Sequence, residues 1–532
     1  MFYSLSDWRF KEKKDNEMAK IIWIDDEIEI LKPHILFLEQ RGYVLKVANN
    51  GMDALELIEK ETFDIVFLDE NMPGLSGIET LERIKNKHPQ LPVIMITKSE
   101  EESIMEDAIG SKIADYLIKP VNPNQILLAL KKNLETKKLV SEKTLSSYQQ
   151  EFRAISMELG GNLNFQEWAD IYKKLVQWEL KLNSSNDQGM NEVLKMQKEE
   201  ANAQFSKFMS RNYLNWLSSP KMEAPVMSHT LLQRKIIPSL SAEKPLFFFL
   251  IDNLRYDQWK SIESLLEPYF YTSKEELYYC ILPSATQYAR NALFAGMMPL
   301  EIQKKMPHLW VDEIEEGGKN SSEEELLRQL LLRSGNRDAF SYHKVLNVDF
   351  GKRLLDKFPN LLNKTLNVVV YNFVDMLSHA RTEVEILREL AQDEAAYCSI
   401  TRTWFEHSPL FDMLKYLSGK KVDVVITTDH GSIQVKHPIQ IVGDKETSTN
   451  LRYKTGKNLA YSSKDVFEIR NPHDAFLPKQ NLSSSFVFAR QNDFFAYKNN
   501  YNHFASYYKN TFQHGGISLE EILAPLVFLK AK

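Results

Sequence analysis

The sequence predicts an α/β protein with a helical middle, and three observations support this class. Five short apolar runs alternate with amphipathic helical patterns over residues 18–135. Residues 136–240 carry helical patterns with almost no strand signal, and strand–helix alternation returns over 241–532. Such alternation is typical of parallel sheets covered by helices. We therefore expect an N-terminal (βα)5 domain, a helical connector bundle and a larger C-terminal α/β domain, with residues 1–17 as a polar extension.

Each strand of the first domain is an apolar run that ends at polar residues, and each helix has apolar residues at helical spacing. The predicted strands and helices alternate in the order 21–26, 28–41, 44–48, 52–60, 64–69, 77–87, 92–97, 101–110, 114–120 and 123–135. Five consecutive strand–helix pairs favour a doubly wound parallel sheet.

The connector is rich in Lys, Glu, Gln, Leu and Met. Its helical patterns cover 145–158, 165–182 and 191–217. Gly160–Gly161 and the polar stretch 183–190 separate them, because glycine and short polar residues interrupt helices.

The C-terminal part contains the most apolar runs of the chain, 245–251 and 366–374. Both are short and rich in aromatic or β-branched residues, which indicates buried strands. The polar stretches 431–470 and 490–513 are predicted to be long loops.

Composition excludes several classes of protein. Hydrophobic residues make up 43% and charged residues 26% of the 532 residues, a globular balance that excludes a wholly disordered chain. The net charge of −6 gives no overall sign of a nucleic-acid partner. Two cysteines are too few for a disulfide framework, and no apolar run reaches the ~20 residues of a membrane helix. We expect a cytoplasmic protein without membrane insertion.

Polar side chains gather where strands of the first domain end. Asp25 and Asp26 follow the first strand and Asp69 the third, while Thr97 ends the fourth and Lys119 the fifth. Ligands of open parallel sheets bind at this edge. Three adjacent carboxylates repel one another, which favours a hard cation such as Mg²⁺. A carboxylate held in this way can attack a phosphoryl group and form an aspartyl phosphate.

The motifs IDDE (24–27), VFLDENMPG (66–74), IT (96–97) and LIKP (117–120) resemble those of the response-regulator receiver family. The resemblance implies that Asp69 accepts the phosphoryl group and that Asp25, Asp26 and Asp69 hold Mg²⁺. It also implies that Thr97 and Tyr116 are the switch residues and that Lys119 binds the phosphoryl oxygens.

The C-terminal part carries a second set of acidic residues, histidines and one threonine near strand ends. Its members are Asp252, Thr286, Asp375, His379, Asp429, His430 and His514. Asp375 and His379 are four residues apart, so they share one helical face. The adjacent Asp429 and His430 offer side chains to two neighbouring ions. A mixture of imidazole and carboxylate suits Zn²⁺ or Mn²⁺, and two ions about 4 Å apart stabilise an in-line displacement at phosphorus.

The order Asp, Thr, Asp-x-x-x-His, Asp-His, His-Gly-Gly resembles the alkaline phosphatase superfamily and, more narrowly, its PglZ-type domains. The resemblance implies two Zn²⁺ sites and a nucleophilic Thr286 that faces both ions. One ion takes Asp252, Thr286, Asp429 and His430, and the other takes Asp375, His379 and His514.

Basic residues are expected to hold the phosphoryl oxygens and the rest of a substrate. Arg255 and Arg290 lie near the motifs, and Arg452, Lys454 and Lys457 lie in the predicted loop after His430. The alternative for each of these residues is an ordinary solvated surface charge.

The combination of the three domains resembles the PorX-type response regulators linked to type IX secretion. This resemblance implies a PorY-like sensor histidine kinase, a sigma factor of the extracytoplasmic-function type, and a zinc phosphodiesterase acting on nucleotide substrates such as linear or cyclic oligonucleotides. Phosphorylation of Asp69 is predicted to produce a homodimer. The alternative is a C-terminal domain that binds a sigma factor or another regulatory protein without catalysis.

Overall fold

The structure is a computed structural model that describes residues 19–97, 113–185, 188–218, 223–241, 243–312, 318–337, 339–383, 393–444, 447–479, 481 and 483–532. Within these ranges, the side chains of residues 131, 135–146, 149, 184–185, 188 and 379–383 are not described. The chain divides into two compact units, Met1–Ser147 and Tyr148–Lys532. The predicted α/β class with a helical middle is confirmed.

A five-stranded parallel sheet forms the centre of the first unit. Its strands are β1 Lys20–Ile24, β2 Val44–Ala48, β3 Ile65–Asp69, β4 Val93–Thr97 and β5 Asp115–Ile118, in the order β2-β1-β3-β4-β5. Neighbouring residues of one strand face opposite sides: Trp23 packs in the core on one face and Ile24 in the core on the other. Both faces of the sheet are therefore buried, which explains the continuous apolar runs.

The helices described in the first unit are α1 Lys32–Glu39, α2 Gly51–Lys60 and α3 Gly77–Lys87. Helix α1 begins four residues later than predicted, with Pro33 in its first turn, where proline is favoured. Helix α3 begins with a capping box between Ser76 and Glu79. The predicted helix 101–110 lies outside the described residues.

Helix α4 covers Pro123–Leu159 and joins two helices that the sequence analysis predicted separately. The intervening residues 136–144 contain no glycine or proline, so nothing in them interrupts the helix. It ends directly before Gly160–Gly161, as predicted. The next helices are α5 Phe165–Ser185, α6 Gln188–Ser218 and the short α7 Ser228–Leu231.

A six-stranded sheet forms the centre of the second unit, in the order β7-β18-β10-β6-β9-β8. Its strands are β6 Leu246–Ile251, β7 Phe270–Tyr279, β8 Phe340–Val345, β9 Leu366–Tyr371, β10 Val424–Thr427 and β18 Leu523–Ala531. Strands β8, β9, β6 and β10 are parallel, and β18 pairs antiparallel with both β10 and β7. The carboxyl ends of β6, β9 and β10 therefore meet at one edge.

The helices of this unit lie between the strands in sequence. They are α8 Tyr256–Leu266, α9 Thr286–Ala295, α10 Pro299–Lys305, α11 Glu323–Arg333, α12 Val348–Leu361, α13 Phe373–Glu383, α14 Glu394–Glu406, α15 Pro409–Gly419, α16 Tyr501–Tyr508 and α17 Leu519–Ile522. None of the described helices combines the length and apolar character needed to cross a bilayer.

The prediction of long loops at 431–470 and 490–513 is wrong in part, because both stretches contain short strands. The strands of this region are β11 Ile433–Gln434, β12 His437–Ile441, β13 Tyr453–Gly456, β14 Val466–Ile469, β15 Ser485–Ala489, β16 Asp493–Tyr497 and β17 Phe512–Gln513. They form the small sheets β13-β15-β14, β12-β16 and β11-β17. Strands of two to five residues among polar neighbours are too short to give a periodic signal.

Candidate functional sites

Three carboxylates meet at the edge of the first sheet. Asp25 follows β1 and Asp69 ends β3, and the ligand oxygens of Asp25, Asp26 and Asp69 all lie within 4.8 Å of one another. Asp25 and Asp69 are buried, whereas Asp26 is exposed. Hard oxygen ligands with one open side fit Mg²⁺, which keeps several water ligands.

Lys119 neutralises two of these carboxylates. Its Nζ lies 2.9 Å from Asp25 Oδ2 and 2.8 Å from Asp69 Oδ1. Burial raises the pKa of Asp69, with Lys119 opposing the rise and Asp25 adding to it. Burial alone would lower the pKa of Lys119, but its bonds to Asp69 and Asp25 outweigh burial and raise it.

The two predicted switch residues lie on adjacent strands. Thr97 ends β4, is buried, and its hydroxyl donates to the carboxylate of Glu70. Tyr116 lies in β5 and is 46% exposed. The sequence analysis did not single out Glu70; its position directly after Asp69 was the available signal.

The C-terminal candidate centre brings together residues from β6, α9 and β10. Asp252 follows β6, Thr286 is the first residue of α9, and Asp429 and His430 follow β10. Thr286 Oγ1 lies 3.0 Å from His430 Nε2 and 3.4 Å from Asp252 Oδ1. Ligand atoms of Asp252, Asp429 and His430 lie within 4.8 Å of one another, and all three residues are buried.

Asp375 and His514 lie beside this cluster. His514 Nε2 is 3.6 Å from Asp375 Oδ1, and the His514 ring stacks on that of His430 with centroids 4.3 Å apart. The sequence analysis placed Asp375 at a strand end. The strand in fact ends at Tyr371, and Asp375 lies in the first turn of α13. The backbone of α13 includes His379, but the His379 side chain lies outside the described residues.

Two glycines set the path of the chain after His514. Gly515 has a φ of 121°, a conformation that side chains disfavour, and a Cβ there would lie 2.6 Å from the Tyr453 ring. Ser284 Oγ accepts from Gly515 N at 3.2 Å and donates to Gly516 O at 2.9 Å. The segment that leads to Thr286 is therefore bound to the segment that carries His514.

Arg290 lies inside the centre, where it binds protein carboxylates. Its Nε donates to Asp429 Oδ2 at 2.9 Å, and its Nη2 pairs with Asp252 Oδ2. Burial opposes ionisation of Asp429, but Arg290 and His430 outweigh it and lower its pKa to about 2. Burial raises the pKa of Asp252, and Asp429 and Asp375 add to the rise although Arg290 opposes it.

The other predicted substrate contacts have protein partners. Arg255 is buried and pairs with Asp257, and Arg452 is buried and pairs with Glu521, with Nε to Oε1 at 3.0 Å. Lys454 is buried in β13, where its Nζ donates to Ser448 O at 2.9 Å. Lys457 is half-buried just after β13. The structure thus shows ion pairs and backbone contacts for Arg255, Arg452 and Lys454.

Asn253 is a site residue that the sequence analysis missed. It has a left-handed backbone, with φ at 63°, directly after Asp252. Its backbone N donates to Asp429 Oδ1 and its Nδ2 donates to Asp375 Oδ1, both at 3.4 Å. Its Oδ1 is buried without a hydrogen-bond partner among the described residues. This orphaned oxygen, beside a mixed imidazole and carboxylate set, fits a site built for transition metals.

Three family models match the chain. The model described as "BREX system PglZ alkaline phosphatase-like domain" matches residues 231–529. The "PorX response regulator linker domain" matches 138–217, and the "Response regulator receiver domain" matches 21–131.

The two curated relatives described here each match about a quarter of this chain. The alginate biosynthesis transcriptional regulatory protein AlgB of Pseudomonas putida is 33% identical over 24% of this chain and 29% of its own length. The transcriptional regulatory protein ZraR of Klebsiella oxytoca is 36% identical over 22% of this chain and 27% of its own length. The chain thus spans less than a third of these two relatives. The chemotaxis protein CheY4 of Vibrio cholerae has 31% identity over 22% of this chain and 99% of its own, with a TM-score of 0.21.

Proposed function

The chain belongs to the PglZ family and is a PorX-type response regulator, and from this premise we propose that phosphorylation of Asp69 controls a two-zinc phosphodiesterase. One observation carries the proposal: Thr286 Oγ1 lies within 3.4 Å of both His430 Nε2 and Asp252 Oδ1. A hydroxyl that begins a helix and faces an acid–imidazole cluster suits a nucleophile for phosphoryl transfer.

In the proposed reaction, Thr286 Oγ attacks phosphorus and the bond from phosphorus to the leaving oxygen breaks. Water then attacks the same phosphorus, the bond from phosphorus to Thr286 Oγ breaks, and a phosphomonoester leaves as the threonine hydroxyl forms again. Asp252, Asp429 and His430 would hold one ion, and Asp375, His379 and His514 the other. Bound Zn²⁺ supplies the Lewis-acid chemistry that lowers the pKa of a hydroxyl and neutralises charge on the phosphoryl group.

Arg290 takes a positioning role in this proposal. It binds Oδ2 of Asp252, while Oδ1 of the same carboxylate faces Thr286. A carboxylate fixed in this way presents one defined oxygen to an ion. We therefore do not assign Arg290, or the paired Arg255 and Arg452, to substrate binding.

The receiver part would act as the input. A sensor histidine kinase, expected to be PorY-like, supplies the phosphoryl group to Asp69, with Mg²⁺ held by Asp25, Asp26 and Asp69. Lys119 Nζ lies 2.8 Å from Asp69 Oδ1, and in this proposal it would bind a phosphoryl oxygen. Thr97 would exchange its bond to Glu70 for one to the phosphoryl group, and Tyr116 would turn inward.

The proposal extends to the substrate, the regulatory output, the location in the cell, the oligomeric state and the domain limits. The substrates are nucleotide-type phosphodiesters, including linear or cyclic oligonucleotides, and the output regulates type IX secretion through a sigma factor of the extracytoplasmic-function type. We place the protein in the cytoplasm and propose a homodimer on phosphorylation. The proposed domain limits remain 18–135, 136–240 and 241–532.

The test combines zinc analysis with hydrolysis of bis(p-nitrophenyl) phosphate. We expect two zinc ions per chain and a loss of at least about 100-fold in kcat for Thr286→Ala, because the nucleophile is gone. Thr286→Ser keeps the hydroxyl and is the matched control, which we expect to retain measurable turnover. Bound zinc without turnover in the wild type, with or without beryllofluoride, would refute the enzyme and leave a module that binds a regulatory protein.

A further inference from the structure

Glu323 is a buried carboxylate beside the C-terminal centre that the proposed reaction does not use. It is the first residue of α11 and is 1% exposed. Its Oε1 lies 3.5 Å from Arg290 Nη1, and Arg290 pairs in turn with both Asp252 and Asp429. A buried carboxylate is stable only where cations or hydrogen-bond donors compensate its charge, so the partners of Glu323 define its role.

Strand β8 supplies the other partners of Glu323. Lys344 Nζ lies 3.1 Å from Glu323 Oε2, and the Tyr342 hydroxyl donates to the same oxygen. Tyr342 and Lys344 are two residues apart in the strand, so their side chains lie on one face of the sheet. Lys344 Nζ also donates to Asn320 O at 2.9 Å. The Lys344 side chain is 26% exposed, so solvent screens its charge more than that of Glu323.

These partners form a line of alternating charge that ends at the proposed metal ligands. Asp252 and Asp429 come first, Arg290 is next, Glu323 follows it, and Lys344 is last. Charges several ångströms apart interact strongly where water is excluded. Arg290 offsets negative charge that would attract a metal ion, Glu323 offsets the charge of Arg290, and Lys344 offsets that of Glu323.

We propose that Glu323 is a positioning residue that raises the affinity of the neighbouring centre for Zn²⁺. It holds the guanidinium of Arg290 and compensates part of its charge, so that Asp252 and Asp429 keep more negative charge for an ion. Lys344 acts on Glu323 in the opposite direction and lowers the affinity. The inference deepens the proposed function and rests on its zinc assignment.

The test measures the zinc affinity of the full, chelator-treated chain by competition with the chromophoric chelator zincon, with excess Mg²⁺ to fill the receiver site. We expect Glu323→Gln to weaken zinc binding about tenfold, because the charge of Arg290 then acts on Asp252 and Asp429 alone. Glu324→Gln is the matched control and should leave the affinity unchanged. Glu324 is the next residue in sequence, but its side chain is 54% exposed, so solvent screens the lost charge.

Lys344→Gln tests the sign of the effect. Removal of this cation should strengthen zinc binding about threefold, because Glu323 then compensates Arg290 without opposition. The double variant Glu323→Gln/Lys344→Gln has the net charge of the wild type and should bind zinc more tightly than Glu323→Gln. Loss of packing or of hydrogen bonds would instead weaken zinc binding in each single variant and further in the double variant.

The inference is overturned by a wild type that binds no zinc or by equal affinities in Glu323→Gln and Glu324→Gln. It is also overturned if Lys344→Gln binds zinc no more tightly than the wild type, or the double variant no more tightly than Glu323→Gln. The expected affinities in a protein without phosphodiesterase activity would retain the role of Glu323 and refute only the proposed enzyme. An active enzyme whose zinc affinity is unchanged by Glu323→Gln would refute the role of Glu323 alone.

Discussion

Arg290 lies between two carboxylates that the sequence analysis assigned to metal binding. It is fully buried, and it also approaches Glu323, with Nη1 and Oε1 3.5 Å apart. The buried charges of Asp252 and Asp429 therefore depend on one guanidinium. Removal of one partner from a buried ion pair leaves an uncompensated charge, which costs far more than the pair itself contributes.

We predict that Arg290→Met destabilises the chelator-treated protein by about 3–5 kcal/mol, measured by urea unfolding. Arg328→Met is the control, because Arg328 pairs with Glu324 and Glu325 on the surface of α11 and should cost at most about 1 kcal/mol. Equal losses in the two variants would contradict the positioning role of Arg290.

A second buried charge cluster predicts a pH dependence. Lys198 Nζ lies 2.9 Å from Glu179 Oε1 and 2.7 Å from Glu394 Oε2. Burial raises the pKa of Glu179 to about 8; Lys198 opposes this and Glu394 adds to it. The folded state keeps a proton on Glu179 up to about pH 8, whereas the unfolded chain releases that proton near pH 4.5. The free energy of unfolding that depends on this proton is therefore fully present below pH 4.5 and is lost as the pH rises towards 8.

We therefore expect Glu179→Gln to reduce the fall in unfolding free energy between about pH 5 and about pH 8, since glutamine cannot ionise. Urea unfolding at a series of pH values measures this fall in unfolding free energy. The control is Glu192→Gln, at an exposed position. A pH dependence as steep as that of the wild type would count against the buried proton.

At the scale of elements, α6 forms hydrogen bonds with the two segments near Thr286 and His514 and so supports the candidate centre. Tyr213 binds Leu282 before Thr286, and Asn202 Oδ1 accepts from Leu519 N at 2.7 Å, just after the His514 segment. A helix from the PorX-type linker thus supports loops of the PglZ-type part. Long helices with such contacts fix loop positions more precisely than loop residues alone.

Tyr213→Phe leaves the buried N–H of Leu282 without its acceptor, so we predict a loss of about 1–3 kcal/mol in stability. We also expect a lower kcat on a phosphodiester at unchanged zinc content. Tyr271→Phe, on an exposed position of β7, is the control and should be neutral in both assays. A Tyr213→Phe protein with wild-type stability and kcat would show that α6 does not brace the Thr286 segment.

At the scale of the whole molecule, the proposed regulation predicts a change of mass. We expect beryllofluoride with Mg²⁺ to convert the protein into a dimer, because a phosphoryl mimic at Asp69 draws Thr97 and Tyr116 inward and remodels the face of β4 and β5. Light scattering after gel filtration measures the mass. Asp69→Asn should stay at its initial mass, and an unchanged wild type would refute the dimer.

Some of the residues behind these predictions could be identified from the sequence, and others could not. Asp25, Asp69, Asp252 and Asp429 were found because each follows an apolar strand, and parallel strands bring their carboxyl ends together. The pairing of Arg452 with Glu521 and the left-handed Asn253 depend on tertiary packing, so no local pattern marks them. The same limit explains the missed strands of 433–513, several of which pair with partners distant in sequence.

The position of β18 in its sheet has a consequence for biosynthesis. This strand follows all the others in chain order, yet it lies between β7 and β10. While a ribosome is still making the chain, β10 has one unpaired edge, and the residues that follow it, Asp429 and His430, lack their finished support. Unpaired edges are prone to wrong partners, so we expect a nascent chain that lacks β18 to benefit from chaperones.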